Sequence, residues 1–105
     1  MKKMNKTDKE EILRVASTTN ASSLAAAITK VVQQGTPFSL MAVGAASVNQ
    51  AVKAIAIANR LLGSSGVSLS VMPCFSTIDI SGEKRLGQED KSEITAIKFK
   101  VLTNK

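Results

Sequence analysis

The chain has 105 residues, a net charge of +6, an apolar share of 44%, one cysteine and no histidine. That length supports one packed domain, and the composition is too apolar for general disorder. A single cysteine excludes an internal disulfide and suits a reducing cytoplasm, and no stretch approaches the roughly 20 apolar residues of a membrane span.

Residues 1–10 are polar, with Lys2, Lys3, Lys6 and Lys9 and no apolar run behind them, so they read as a flexible basic tail and not as a secretory signal. In Glu11–Ala16, Leu13 and Val15 alternate with Arg14, which predicts a short strand. Ser17-Thr18-Thr19-Asn20 then offers side-chain acceptors to the free amides of a helix start. Leu24, Ile28, Val31 and Val32 form one helical stripe, closed by Gly35 and Pro37.

Phe38–Val43 is almost continuously apolar and predicts a strand buried on both faces. Gly44 breaks it, and Ser47 is the expected cap of a second helix reaching about Leu62. Its expected inner stripe is Val48, Val52, Ile55, Asn59 and Leu62, while Ala51, Ala54, Ala56 and Ala58 keep the helix thin enough to approach a sheet closely. Ile57, near Lys53 and Arg60, reads as an exposed apolar residue suited to an interface.

After the loop Gly63–Gly66, Val67, Leu69 and Val71 alternate with Ser68, Ser70 and Met72. This third strand is expected to continue to Ile78 and Ile80, with a bend or bulge at Pro73, which cannot donate to a ladder. Cys74 within it reads as a small buried hydrophobe. A polar segment, 81–93, separates it from a last strand in which Ile97, Phe99 and Val101 alternate with Lys98 and Lys100. The two strands should pair as a hairpin with an extended tip. The order β-α-β-α-β-β predicts a single two-layer α/β (α+β) domain over residues 11–103, a four-stranded mixed sheet with two helices on one face.

The chemistry that is missing points to binding and away from catalysis. Without histidine the chain lacks the commonest general base and the commonest neutral metal ligand. One cysteine and no histidine make no zinc site of the usual kind, and neither glycine-rich phosphate-loop pattern occurs. Gly44 opens a strand-to-helix turn, but a lone glycine is weak grounds for phosphate binding. The expectation is a non-enzyme with no cofactor and no metal. The charge layout adds a partner class. No acidic residue lies between Ile12 and Ile78, where Arg14, Lys30, Lys53 and Arg60 are the only charges. A modest positive field favours an anionic partner such as DNA or RNA.

The stretch Met41-Ala42-Val43-Gly44-Ala45-Ala46-Ser47-Val48-Asn49-Gln50-Ala51-Val52-Lys53-Ala54-Ile55-Ala56-Ile57-Ala58 resembles the signature of the stage V sporulation protein S family, in which Asn-Gln-Ala-Val-Lys-Ala opens a helix after a strand ending in glycine. Arg14-Val15, Ser65-Gly66-Val67, Pro73-Cys74-Phe75, Gly82-Glu83-Lys84-Arg85 and Thr95-Ala96-Ile97-Lys98 agree with it, so the resemblance spans about Ile12 to Val101. It implies an Alba-like fold, a homodimer or higher homo-oligomer, and a cytoplasmic, nucleic-acid-binding role in sporulation or development. Fold kinship carries that function by analogy.

Two departures bear on the partner. Thr18 stands in the turn after strand one where members of the family often carry lysine; a threonine can bond a phosphate but releases no counterion. The insert at 86–94 carries Glu89, Asp90 and Glu93 against Lys91, a local charge of −2, at the hairpin that reaches toward nucleic acid in Alba-like proteins.

The candidate nucleic-acid contacts are therefore Thr18, Asn49, Gln50, Lys53, Lys84 and Arg85. For Asn49 and Gln50 the competing reading is structural, with the side chains tying down the strand-helix turn. Lys84 and Arg85 could instead be a surface pair balanced by Glu83. Lys98 and Lys100 either line a basic groove or blunt an edge strand. The alternative for the whole molecule is an assembly module that docks a sporulation or cell-envelope partner.

Overall fold

The computed structural model describes residues 10–79 and 93–105. Ile80, Lys84, Arg85, residues 1–9 of the tail and 86–92 of the insert lie outside them. The elements are β1 (Glu11–Val15), α1 (Ala21–Gln34), β2 (Phe38–Ala42), α2 (Ala45–Gly63), β3 (Ser68–Asp79) and β4 (Glu93–Asn104). The sheet runs β1-β2-β4-β3, with β1 parallel to β2 and the other pairs antiparallel. This is the expected order and the expected two-layer mixed architecture, and it is compatible with an Alba-like fold.

Local chemistry sets each boundary of α1. The Asn20 side chain accepts from the Ser23 amide at 2.9 Å, satisfying one of the free donors of the first turn. At the other end Gly35, at φ 75°, and Thr36 donate to Val32 and Val31, the paired bonds of a Schellman motif that a left-handed residue permits. β2 lies between β1 and β4, and all five of its residues are buried. It ends one residue earlier than the apolar run, because Val43 turns out to solvent.

One face of the sheet carries the core. Val15, Phe38, Leu40, Ala42, Leu69, Phe99 and Val101 alternate inward and meet Leu24, Ile28 and Val31 of α1 and Ala51, Ala54, Ala58 and Leu62 of α2. The buried face of α2 is Ser47, Ala51, Ala54, Ala58 and Leu62, rotated by one residue from the expected stripe. Val52 is half exposed, Asn59 lies on the surface, and Val48 and Ile55 are only half-buried. Side-chain bulk points to the wrong ridge, because small alanines let α2 pack closely on its neighbours and are fully buried there. Ser47 is accordingly no cap. Gly44 takes that position, and Ser47 is the third helical residue, buried against the fold. Ile57 is half-buried and packed on the core, so it is no free interface residue.

The hairpin corrects three further expectations. The β3–β4 register runs unbroken from Ser68↔Asn104 to Asp79↔Glu93, with Pro73 opposite Phe99, so Pro73 makes no bulge. It is tolerated because β3 is an edge strand, one side of which needs no donors. For the same reason Cys74 is half-buried, not buried; its thiol donates to the Lys98 carbonyl at 3.6 Å. β4 is an interior strand, so Lys98 and Lys100 do not blunt an edge. No helix among the described residues is long and apolar enough to cross a membrane.

Candidate nucleic-acid interface

The turn between β1 and α1 is built from its own side chains. The Thr19 amide donates to the Ala16 carbonyl at 3.1 Å, and the Thr19 hydroxyl accepts from the Ala16 amide at 2.8 Å. Thr18 is thereby pushed out to solvent at the tip. From α2, the Gln50 side-chain amide donates to the Thr19 carbonyl at 2.8 Å, while Asn49 donates to Gln50 at 3.3 Å. Gln50 thus braces the β1–α1 turn, and Asn49 bonds to Gln50 from the same helix.

These bonds bring the turn, the start of α1 and one face of α2 together around a shallow depression lined by Ser17–Ser22, Gln50, Lys53 and Ile57. Of the expected contacts, Thr18, Gln50 and Lys53 share it, and Asn49 is exposed beside it. Lys84 and Arg85 fall outside the described residues. Reading the sequence missed Ser17 and Ser22 as lining residues, since Ser/Thr runs signal caps equally well. The first turn of α1 holds no acid, so the partial positive charge of its amides is left uncancelled next to the Lys53 ammonium. Hydroxyls, a lysine and a helix N-terminus can hold a phosphate; they offer neither a nucleophile with a base nor a cluster of metal ligands among the described residues.

A second charged group sits on the helix-free face of the sheet. Glu10 accepts from the Ser39 hydroxyl and pairs with Lys98 at 3.3 Å, so it spans β2 to reach β4. The Ser39 bond, then Lys98 and Lys100, hold its carboxyl below the ordinary 4.5 against a smaller opposing cost of burial. No local pattern links Glu10, Ser39 and Lys98; only the sheet register makes them neighbours.

The model of the family described as Stage V sporulation protein S (SpoVS) matches residues 11–104, from the first residue of β1 to the last of β4. The chain belongs to the stage V sporulation protein S family. Membership supports a sporulation-related role. Within the fold the family's Asn49–Ala54 segment serves two purposes. Ala51 and Ala54 are fully buried against the core, while Asn49 and Lys53 face solvent and Gln50 ties the neighbouring turn. Asn49–Ala54 thus both lines the depression and packs the helix that forms its wall.

Proposed function

We propose that the protein is a non-enzymatic, nucleic-acid-binding regulator tied to sporulation, working in the cytoplasm as a homodimer. The observation that carries this reading is the meeting of Thr18, Gln50 and Lys53 at the N-terminus of α1, within a stretch that has no acid from Ile12 to Ile78. Phosphate contacts of this kind are sequence-tolerant and salt-dependent. Titration against RNA, single-stranded DNA and duplex DNA at two salt concentrations tests it. Binding should be tightest at about 50 mM salt, and its absence there removes the reading. Lys53→Glu should weaken binding about tenfold or more and flatten the salt dependence. Sedimentation of the same sample tests the dimer.

The alternative, an assembly module, is favoured by one feature. Phe75 is 80% exposed on the edge strand, on the helix-bearing face, while Met72 and Leu102 are exposed on the opposite face. A concentration-dependent mass with no nucleic-acid binding would favour that reading.

A further inference from the structure

A second cavity lies on the other side of the β1–α1 turn, outside the carboxyl ends of the parallel strands β1 and β2. It measures about 310 Å³, and Arg14, Ser17, Met41, Val43, Ser47 and Ile78 line it. Open α/β sheets commonly take ligands at this end of parallel strands, where the chain leaves each strand for a helix. Among the described residues every polar side chain at the wall carries a donor, and no carboxylate lines it.

Three features bring those donors close to one place. Ser47 is 6% exposed, yet its hydroxyl bonds to no described residue, while no fully buried side-chain polar atom among the described residues lacks a partner. Ser47 lines the cavity with its hydroxyl free of any bond to a described residue. Ser47 is also the third residue of α2, whose cap, Gly44, supplies no side chain and whose first turn has no acid. The first bond back into the helix is from the Val48 amide to the Gly44 carbonyl, so the amides of Ala45, Ala46 and Ser47 precede the ladder. Val43 and Ser47 line the cavity from either side of that start. Arg14 adds a guanidinium with no ion pair to a described carboxylate; the ion pair among the described residues is Glu10 with Lys98.

We propose that this cavity binds a phosphoryl group. A fork of guanidinium N–H, two serine hydroxyls and an uncapped helix start fit a tetrahedral oxyanion. Met41, Val43 and Ile78 give it an apolar wall that weakens competition from water. The phosphoryl group can be that of a free phosphate or the terminal phosphate of an oligonucleotide. The site does not need the Lys53 depression, although Ser17 lines both.

The test is an amide NMR titration of the full chain with inorganic phosphate at constant ionic strength, chloride being the balancing ion. Saturable shifts should centre on Ala45, Ala46 and Ser47 and on Arg14. Ser47→Ala and Arg14→Gln, each checked for an otherwise unchanged spectrum, should each weaken the binding by about tenfold. A 5′-phosphorylated oligonucleotide that displaces phosphate better than its 5′-hydroxyl twin identifies a nucleic-acid end as the source; equal displacement by neither identifies free phosphate. Shifts that never saturate, that map to Thr18 and Lys53, or that survive both variants overturn the site. The Lys53 interface stands or fails separately, on its own salt titration.

Discussion

The two turns that lead a parallel strand into a helix solve one problem in opposite ways. Between β1 and α1, Thr19 closes the turn, Asn20 caps the helix and Gln50 braces the turn from outside. Between β2 and α2, Val43 and Gly44 suffice; Gly44 stands at φ 91°, ψ 157°, and no side chain caps the helix. The first turn spends side chains and tolerates many backbones. The second relies on a residue without a Cβ and leaves its amide donors unclaimed. Stability at the first turn is thus divided among several modest bonds, whereas at the second it rests on one backbone conformation.

The largest effect should follow from Gly44→Val. A Cβ there meets no atom within 4 Å, so the penalty is backbone strain alone, about 1–3 kcal/mol for a region that glycine almost monopolises. Urea unfolding should show it, and an unchanged midpoint would mean the turn has a second conformation open to it. Next comes Asn20→Ala, expected to cost about 1 kcal/mol through the uncapped Ser23 amide. Asn20→Asp should keep most of that, because its carboxylate also accepts. Gln50→Ala should cost a similar amount, about 0.5–1.5 kcal/mol for one net bond. It should also speed amide exchange through Ala16–Asn20 while leaving the β2–α2 turn untouched, an asymmetry that the brace predicts.

How readily each turn could be read from sequence follows the same division. Ser17–Asn20 announced a cap because Asn and Ser have a side-chain reason to be there, and Gly35 with Pro37 announced a stop. The strand order of types was equally clear, since period-two and period-3.6 patterns alternate cleanly along the chain. The second turn misleads: Ser47 reads as a cap because sequence does not show whether a serine faces the helix start or the core. The inner face of α2 lies one position from the expected stripe for a related reason. Valine and isoleucine look like core residues, and only the close contact of α2 with α1 reveals that alanines serve better. For the candidate site, Asn49 and Lys53 are visible at i, i+4 as a polar pair on one helix face, with Gln50 beside them. The Arg14–Ser47 cavity is not, because its walls come from β1, β2, α2 and β3 and meet only through the sheet.

The smallest effect concerns the strand that feeds the first turn. β1 is an edge strand of five residues, and Glu10 pins its start to the sheet through Ser39 and Lys98. Its carboxyl is held below the ordinary 4.5, chiefly by the Ser39 bond. A carboxyl whose folded value is depressed contributes stability that is fully present above the unfolded value and is lost as pH falls through the folded one. Stability should therefore decline in the acid range below pH 4.5, with no change from this group near neutrality. A third of the Glu10 side chain is exposed, so solvent screens the pair and the contribution is small. Glu10→Gln keeps an acceptor for Ser39 but removes the titration. Its unfolding midpoint should fall slightly at pH 7 and depend less steeply on pH below 4.5 than that of the parent chain. Equal slopes would show that Ser39 and Lys98 do not sense the charge of Glu10, and that β1 is fastened by its backbone pairing with β2 alone.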